Sequence, residues 1–546
     1  MPDRLVIGME FSTQSAKAVV LGADSANVLT SIQLNYDETF PQYGTKGGVL
    51  PSEDATVRHT SPAMLSEAMD ELFRRLGAAD VEMARVRALK LDAQQHCTVY
   101  ADDSLADRLS ALDEGAAGAG DAGPAAGNAG LGTGNLAAAV APAFTRNSVP
   151  IWEDRSTARE VQLLEAALAG QGGVQHLTAN PTELRFPAAQ IVRWALADPD
   201  AYAQTAHIML LSAFLTPLLT GCIAPVDTGD GWGTNLNHAD IDDPGWHPDT
   251  VSAVEELIGR PGSLTARLGE MVPYDTPVGR VSGYFSRRYG LPADAMVLAG
   301  TGDNPATLLG CGGKLVISLG SSYTVNGVVS ELDALSGAEY NVFGYTPGTA
   351  MALSVITNGT KVHDKFRREY AHGETWDEYE RRAGGRTVDP EEPLLLPYLQ
   401  AESVPRAPAG FVRDGLSAGD REANIRALHI SQALSLRLHA SHVASPEAIA
   451  VVGGGSQNDA LRAYTTDAFG RPTYRIRNGD FAAPLGCAIA AARHLLRCSY
   501  EAATARFVAV EAGSELSPLG RNDAAYDRLL TRYRQLEAAN RVTTTA

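Results

Sequence analysis

The residue best placed for catalysis lies in a short polar turn that follows an apolar stretch. Asp303 stands between Gly302 and Asn304, directly after apolar residues 296–299. A carboxylate at such a point can cap the first turn of a helix, or it can act as a general base at a cleft. The residue types leave both roles open, so Asp303 is a candidate catalytic residue.

Further polar turns centre on Ser12, Ser321 and Gly454, and each follows an apolar stretch. Small residues in such turns expose backbone N–H groups, which suit phosphate groups. Any one of these turns is compatible with an ordinary tight turn, but the three together favour a nucleotide site. Lys17 follows the first turn and is either a phosphate ligand or a solvated strand residue.

A polar group of a different kind, Gln94, Gln95 and His96, ends the apolar stretch 86–91. Amide and imidazole side chains together suit the hydroxyl groups of a sugar. A hydrogen-bonded structural role for His96 fits the same residues. The sequence around them leaves the choice between these two roles open.

The composition bounds the class of protein. The chain has 546 residues, of which 45% are hydrophobic and 20% are charged, and this length predicts two or three globular domains. Its formal net charge of −19 repels nucleic-acid backbones, so we expect no nucleic-acid partner. An anionic ligand such as ATP would need a local cradle of N–H groups, a basic side chain or a metal ion.

Cysteine usage and hydropathy predict a cytoplasmic protein. There are five cysteines with no CxxC pair, which argues against a disulfide scaffold or a zinc site. We expect no secretory leader at the N-terminus, because Glu10 interrupts the apolar stretch there. The most apolar segment, 208–223, contains Pro217 and is too short to span a bilayer, so we expect a buried helix there and no membrane partner.

Apolar stretches typical of strands alternate with segments of helical spacing, which predicts an α/β fold. The turns near Ser12 and Ser321 have similar surroundings, which indicates two related halves. Residues 115–143 are rich in Ala and Gly without a period, and we interpret them as a surface loop or partly disordered insertion. The motifs GxxxxGK[ST], HRD…DFG, HExxH and GxSxG are absent, which excludes P-loop enzymes, protein kinases and two classes of hydrolase.

The order of these segments resembles the FGGY carbohydrate kinases, and most closely their xylulokinase branch of eukaryotic type. The matching segments are Phe11-Ser12-Thr13-Gln14 with Lys17, Gly44-Thr45 with Gly47-Gly48-Val49, Thr60-Ser61-Pro62, Gln94-Gln95-His96, Trp152-Glu153-Asp154, Asp230-Gly231 with Asn235-Leu236, Thr301-Gly302-Asp303-Asn304-Pro305-Ala306, Ser318-Leu319-Gly320-Ser321-Ser322, and Gly453-Gly454 with Asn458. They extend over nearly the whole chain, and this many ordered motifs argue against a chance match.

The resemblance implies a fold and an activity. The fold would be α/β, with two actin-like ATPase (ribonuclease H-like) domains flanking a deep cleft. Residues 1–298 would form the sugar-binding N-terminal domain, 299–515 the nucleotide-binding C-terminal domain, and 516–546 a C-terminal helix and tail. The implied activity is ATP-dependent phosphorylation of D-xylulose to D-xylulose 5-phosphate with Mg²⁺, in a monomer or homodimer. Ribulose, another ketose, or a polyol such as glycerol is the alternative substrate, and a catalytically dead sugar-binding homologue is a further reading.

The resemblance also implies roles for single residues. Asp303 would take the proton from the attacking sugar hydroxyl. The residues implied in sugar binding are Gln95, His96, Asp154, Arg185, Asp303 and Asn304. The residues implied in nucleotide binding are Thr13, Gln14, Lys17, Gly320, Ser321, Ser322, Trp376, Gly453, Gly454 and Asn458.

Three residues depart from the family pattern. Glu10 stands where the family usually has Asp, in the loop that organises magnesium and its waters, so we expect Glu10 to hold the metal through water. Tyr323 stands where close relatives often carry Asp, which predicts different contacts in the second phosphate loop. Cys97 replaces the usual Gly beside His96 and is predicted to narrow the sugar pocket.

Overall fold

The computed structural model describes residues 2–114, 135–329, 332 and 339–541. The chain divides into two compact units. Unit 1 consists of Met1–Gly310, Val342–Ala350 and Phe481–Phe507. Unit 2 consists of Cys311–Asn341, Met351–Asp480 and Val508–Ala546. Each unit is built around its own mixed β-sheet, as the similarity of the Ser12 and Ser321 turns predicts.

The strands alternate with helices along most of the chain. The strands are β1 (Leu5–Phe11), β2 (Ser15–Gly22), β3 (Val28–Asn35), β4 (His59–Thr60), β5 (Val86–Ala93), β6 (Thr98–Ala101), β7 (Val149–Pro150), β8 (His207–Leu210), β9 (Val226–Asp227), β10 (Met271–Val272), β11 (Pro277–Arg280), β12 (Met296–Leu298), β13 (Thr301–Gly302), β14 (Leu315–Leu319), β15 (Tyr323–Val329), β16 (Asn341–Gly344), β17 (Ala350–Ile356), β18 (Leu394–Tyr398), β19 (Gly410–Asp414), β20 (Ile449–Val452) and β21 (Thr473–Tyr474).

Most of the helices in the described residues are short, and four of them have fifteen residues or more. They are α1 (Tyr36–Thr39), α2 (Pro62–Ala78), α3 (Ser104–Glu114), α4 (Leu136–Val140), α5 (Ala158–Leu168), α6 (Val174–Thr178), α7 (Pro187–Ala197), α8 (Pro199–Gln204), α9 (Leu211–Thr220), α10 (Thr228–Gly231), α11 (Pro248–Leu257), α12 (Thr265–Leu268), α13 (Gly283–Tyr289), α14 (Asp303–Gly310), α15 (Thr360–Tyr370), α16 (Trp376–Arg382), α17 (Arg421–Leu438), α18 (Asp459–Phe469), α19 (Ala482–Leu496), α20 (Tyr500–Phe507) and α21 (Asp523–Ala538).

The two main sheets have related topologies. The first has the order β11–β12–β5–β1–β2–β3, with β13 also paired to β5. The second has the order β16–β17–β15–β14–β20–β21. In each sheet a hairpin (β1–β2 or β14–β15) comes first, and its first strand pairs in parallel with a strand much later in the chain. The sequence similarity around the two hairpin turns therefore reflects two equivalent halves.

The register of the first sheet aligns four polar residues. Lys17 on β2 pairs with Glu10 on β1, Glu10 pairs with Asp92 on β5, and Asp92 pairs with Thr301 on β13. Residues directly opposite one another in neighbouring strands point to the same face of the sheet. We call Lys17, Glu10, Asp92 and Thr301 the cross-sheet row. It leads towards Asp303, which begins α14.

Helix α19 packs on the face of the first sheet that carries the cross-sheet row. Glycine residues stand at its closest backbone contacts. A Cβ atom at Gly8 of β1 would lie 1.8 Å from the carbonyl oxygen of Pro484, and one at Gly486 would lie 1.9 Å from that of Ala306. Real Cβ atoms do not approach backbone so closely, so only glycine permits these contacts. α19 thus fixes β1 and α14 against each other, although it follows α14 by more than 170 residues in the chain.

Two expectations about local structure hold only in part, because α9 (Leu211–Thr220) is the buried helix expected within 208–223 but does not fill that stretch. Residues 208–223 were expected to form one buried helix, but the strand β8 precedes α9 there, because Ile208 and its neighbours pair with β6. The insertion 115–143 was expected to have no regular structure, yet Leu136 and Val140 are buried on the helix α4. Asn135 caps α4, and the i, i+4 spacing of these apolar residues buries them together. The remainder of the insertion, 115–134, lies outside the described residues.

The units and the predicted domain bounds do not coincide. The prediction divided the chain at 298/299 and 515/516, whereas unit 1 runs on to Gly310 and regains residues 481–507. The difference arises because α14 and α19 pack on the first sheet. The predicted C-terminal helix corresponds to α21, which lies in unit 2. No helix in the described part of the chain is long and apolar enough to cross a membrane.

Candidate active site

Asp303 is the first residue of α14 and follows β13 directly. Burial raises the pKa of its carboxyl group to about 7, and the charge of Glu10 contributes to the same shift. A carboxylate with a pKa near neutrality has the basicity that a general base needs. Both roles that the sequence leaves open, the start of a helix and a base, are thus compatible with its position.

The side chain of Asn304 joins Asp303 to Gln95. Its Nδ2 donates to Oδ1 of Asp303 at 2.9 Å and to Oε1 of Gln95 at 2.7 Å. Gln95 in turn donates from Nε2 to the carbonyl oxygen of Gly229 at 2.9 Å. The three polar residues therefore form one connected network, anchored on the backbone of α10.

The imidazole of His96 is held in a fixed orientation by two contacts. Nδ1 donates to the carbonyl oxygen of Gly233 at 2.8 Å, so Nε2 is the ring nitrogen left to face a ligand. The ring stacks on Phe186 with centroids 4.3 Å apart. Burial, assisted by the charge of Arg185, holds the pKa of His96 well below its usual range, so the ring is neutral. His96 has a positive φ of 70°, which re-aims the chain between β5 and β6.

Arg185 lies next to the stack of His96 on Phe186. Its Nη1 is 3.0 Å from Oε2 of Glu183, and the guanidinium carbon is 5.4 Å from the centroid of Phe186. These contacts hold a positive charge close to His96. Unit 1 therefore brings together five of the residues implied in sugar binding: Gln95, His96, Arg185, Asp303 and Asn304.

Asp154 is placed differently from these residues. Its carboxylate is buried and accepts hydrogen bonds from the backbone of Arg58 at 2.9 Å, from Nε2 of Gln190 at 2.8 Å and from Ser156. Both oxygens thus have donors from the chain. Its role towards a sugar stays a prediction, and its visible role is to hold the segment that carries Trp152.

The turn at Thr13 lies between β1 and β2. Oγ1 of Thr13 donates to Oε1 of Gln94 at 3.1 Å and accepts from the indole of the half-exposed Trp152 at 2.9 Å. The carbonyl oxygen of Gln14 accepts from the backbone of Tyr36. These bonds fix the turn, and its own polar groups remain near the surface.

Charge is concentrated beside this turn, in the cross-sheet row. Nζ of Lys17 lies 3.0 Å from Oε2 of Glu10. Asp92 is fully buried, and its Oδ1 has no hydrogen-bond partner among the described residues. Burial, and then the charges of Glu10 and Asp303, raise the pKa of Asp92 well above its usual range. A buried carboxylate oxygen without a donor fits a cation close by, so the residues present are compatible with Mg²⁺ near Glu10.

The second turn, in unit 2, connects β14 to β15. Gly320 and Ser321 offer their carbonyl oxygens to the backbone of Thr360 at 3.0 Å and of Gly359 at 3.2 Å. Ser322 accepts from the backbone of Gly320 at 3.1 Å. The loop is thereby fixed against the start of α15, while the Ser321 side chain is exposed.

Strand β20 of unit 2 ends in the glycine loop. Gly453 has a φ of 82°, and a Cβ atom there would lie 2.9 Å from the carbonyl oxygen of Leu319. A Cβ at Gly454 would meet nothing within 4 Å, so its surface is free to receive a ligand. Asn458 caps α18 by accepting from the backbone of Leu461, and its Nδ2 is 3.4 Å from Nε2 of His429.

Trp376 begins α16 of unit 2. Its side chain is 38% exposed, and the guanidinium carbon of Arg367 lies 4.8 Å from its ring centroid. Tyr379 meets the same ring edge-on. An exposed indole held from two sides is suited to stack on a flat ligand.

The structure also shows the surroundings of Tyr323 and Cys97, two of the three residues that depart from the family pattern. Tyr323 is buried in the core of unit 2, and its hydroxyl donates to Oε1 of Gln432 at 3.3 Å. Cys97 is buried too, with Sγ 3.5 Å from the carbonyl oxygen of Gln95. Tyr323 therefore contributes packing to the second turn, while Cys97 supports the residue beside His96.

Sequence reasoning missed Asp92, Phe186 and the buried Lys90. A signal for Lys90 and Asp92 was present, because charged residues are rare in a fully apolar strand unless they have a specific partner. Phe186 gave no such signal, since only the fold brings it under His96.

Comparison with known proteins extends this description. Residues 315–495 match the model of the FGGY family of carbohydrate kinases, C-terminal domain. Xylulose kinase 2 of Arabidopsis thaliana is 28% identical over 515 residues, covering 90% of this chain and 87% of that protein. Xylulose kinase of Rattus norvegicus is 29% identical over 488 residues, covering 87% and 85%. The chain is thus similar to xylulose kinases along most of its length, and its residues 315–495 resemble the C-terminal domain of the FGGY carbohydrate kinases.

Structural similarity to FGGY kinases covers the whole chain. The solved xylulose kinase from Rhodospirillum rubrum has a TM-score of 0.75 to this structure at 18% identity, covering 98% of this chain and 99% of that one. At this identity the likeness shows the fold, which is the α/β actin-like ATPase fold that the sequence predicts. An FGGY kinase is a phosphotransferase, so the predicted enzyme class is confirmed as well.

Proposed function

We propose that this FGGY kinase transfers the terminal phosphate of ATP to D-xylulose and forms D-xylulose 5-phosphate. The observation that carries the proposal is the network of Asp303, Asn304 and Gln95, because it holds a carboxylate of near-neutral pKa beside polar groups suited to a sugar. The names of the curated relatives along nine-tenths of the chain support the choice of sugar.

Asp303 would orient the terminal hydroxyl of the ketose and accept its proton as the hydroxyl oxygen attacks phosphorus. Its pKa of about 7 suits this task, since the carboxylate form is present at neutral pH and is still basic enough to bind a proton. The neutral His96, through Nε2, and the cationic Arg185 would bind other oxygen atoms of the sugar. Asn304 would keep the Asp303 carboxylate aimed at the reacting hydroxyl.

The nucleotide side of the reaction rests on separate groups in each unit. In unit 1, we propose that Thr13, Gln14 and Lys17 contact phosphate oxygens. In unit 2, Gly320, Ser321 and Ser322 are proposed as further phosphate contacts, and Gly453, Gly454, Asn458 and Trp376 as contacts to the adenosine. Glu10 would hold Mg²⁺ through water, and the bound metal supplies charge neutralisation at the phosphates.

Other features of the protein belong to the same proposal. Its free cysteines and its substrates suit the cytoplasm. We propose a monomer or a homodimer, with no nucleic-acid or membrane partner. The alternatives are a kinase for another ketose or for a polyol, favoured by the position of Cys97 beside His96, and a sugar-binding protein that does not turn over.

The test is a coupled assay of ADP release with Mg²⁺-ATP, run against D-xylulose, D-ribulose, L-xylulose, L-ribulose, D-fructose and glycerol. The proposal expects the highest kcat/KM with D-xylulose. A higher value with another acceptor would overturn the choice of sugar and keep the kinase. Binding of a sugar, measured by calorimetry, without any ADP release would identify the non-catalytic alternative.

A further inference from the structure

A second buried carboxylate lies beside Glu10, and the proposed function leaves it without a role. Asp92 is the direct partner of Glu10 across the parallel strands β1 and β5, and Glu10 is the partner of Lys17 across β1 and β2. Neighbouring strands lie about 4.8 Å apart, and partners in direct register share a face. Two carboxylates and one ammonium group thus stand next to each other on one face of the sheet.

The chain does not satisfy the polar atoms around Asp92. Its Oδ2 accepts only the weak donor Sγ of Cys487, at 3.4 Å, and its Oδ1 has no hydrogen-bond partner among the described residues. The hydroxyl of Tyr36, which is fully buried as well, has none within the same part of the chain. Because buried polar atoms normally have partners, these atoms fit a ligand that is not part of the protein.

The charges that face Asp92 define the kind of ligand. Glu10 comes from β1, Lys17 from β2 and Asp303 from the start of α14. α19 contributes the thiol of Cys487, and α1 contributes the phenol of Tyr36. One ammonium group thus stands against three carboxyl groups, so the complement is a cation with more than one charge.

A site with these side chains suits a metal ion whose coordination is completed by phosphate oxygens. Mg²⁺ in enzymes that handle phosphate is held by one or two carboxylates, several waters and the phosphate oxygens. In the described residues, no group of three or more His, Cys, Asp or Glu side chains forms a metal site of its own. A pair of carboxylates that binds the metal only together with a nucleotide is consistent with both statements.

We propose that Asp92, together with Glu10, holds the divalent cation of the metal–nucleotide complex, directly or through one water. The inference rests on the proposed function, since that function brings the nucleotide and its metal to this face. With two carboxylates sharing the cation, the extra methylene of Glu10 is tolerated, because the metal can sit nearer to Asp92.

The first experiment measures metal binding without turnover. Mn²⁺ is titrated into the full-length protein saturated with ADP, and free Mn²⁺ is followed by electron paramagnetic resonance. We expect Asp92→Asn to weaken Mn²⁺ binding by about 10-fold to 100-fold, and Glu10→Gln to weaken it comparably. Binding of ADP in the presence of EDTA is expected to stay within about twofold of the unsubstituted protein.

Asp275→Asn is the matched control. Asp275 is also a buried carboxylate of unit 1, but it is paired with Arg493 at 2.8 Å and takes no part in the cross-sheet row. Its substitution is expected to leave Mn²⁺ affinity unchanged. Unchanged affinity in Asp92→Asn beside weakened affinity in Glu10→Gln would overturn the role of Asp92 and identify it as a buried, protonated carboxyl group.

A second measurement uses the unsubstituted protein, in case Asp92→Asn does not fold. Fe²⁺ replaces Mg²⁺ in the ADP complex, and ascorbate with peroxide then generates radicals that cut the backbone beside the metal. Cuts in both β1 and β5 are expected, and cuts in β1 without β5 would count against Asp92. Neither readout needs turnover of a ketose. If the protein binds Mn²⁺ through Asp92 but phosphorylates no sugar, the proposed function is refuted and the inference about Asp92 stands.

Discussion

The side-chain amide of Asn304 donates to the carboxylate of Asp303 at 2.9 Å while it also donates to Gln95 at 2.7 Å. A single amide nitrogen thus connects the proposed base to the proposed sugar-binding residue, and both of its hydrogens are used. The orientation of Asp303 therefore depends on a neighbour that is adjacent in sequence and on one that lies more than 200 residues away.

Asp303→Asn is expected to lower kcat by about 10²-fold to 10⁴-fold, because the proton of the attacking hydroxyl loses its acceptor. The same change is expected to stabilise the protein above neutral pH. The folded-state pKa is about 7 against an ordinary 3.8, so the stability linked to this proton is present at low pH and is lost as pH rises through about 7. Urea denaturation at pH 6 and pH 8 measures the effect, and Asp303→Asn should gain more at pH 8. Equal turnover of both proteins would refute the catalytic role.

The pH dependence of kcat/KM reports on the same group. We expect the rate to fall below about pH 7, as the carboxylate of Asp303 becomes protonated. Asn304→Asp places a second negative charge beside Asp303, which raises the pKa of Asp303, so the acidic limb is expected to move to higher pH. Asn304→Ala removes the hydrogen bond to Asp303 without adding a charge, so it should lower kcat/KM with a smaller upward displacement of the acidic limb. An acidic limb that does not move in Asn304→Asp would argue that another group titrates.

His96→Ala is expected to raise KM for the ketose by about 10-fold to 100-fold and to leave KM for ATP unchanged. The imidazole is buried and neutral, so it contributes hydrogen bonds instead of charge. The effect on KM is therefore expected to be the same at pH 6.5 and pH 8. The exposed His176 provides the control, since His176→Ala should change neither KM. A KM effect confined to ATP would contradict the assignment of His96 to the sugar.

Lys90→Ala is expected to destabilise the protein by about 3–5 kcal/mol, because it leaves the buried carboxylate of Asp227 without its cation. Nζ of Lys90 lies 3.3 Å from Asp227 and donates to the carbonyl oxygen of Tyr274 at 2.6 Å. Lys46→Ala, at an exposed position, should change the free energy of unfolding by less than about 0.5 kcal/mol. Urea denaturation followed by circular dichroism compares the Lys90→Ala and Lys46→Ala variants. Similar midpoints would show that the pair of Lys90 and Asp227 makes no net contribution to the free energy of unfolding.

Much of the local structure was predictable from the sequence. The apolar stretches 86–91 and 296–299 were expected to be strands, and they correspond to β5 (Val86–Ala93) and β12 (Met296–Leu298). The period of apolar residues and the turn residues act over a few positions, so they can be recognised without the fold. The stretch 208–223 shows the limit of such reasoning, because an apolar run has no period that separates β8 from α9.

The sequence by itself determined the order of the polar turns, and through the resemblance of those turns to the FGGY kinases it predicted the fold. It also identified Asp303, His96 and the two hairpin turns as candidates, since each belongs to a motif of adjacent residues. Only the tertiary structure decided that Glu10 and Asp92 stand side by side and that α19 returns to cover them. The physical reason is that register and close packing join segments far apart in the chain, and adjacent residues carry no record of which distant strand will lie beside them.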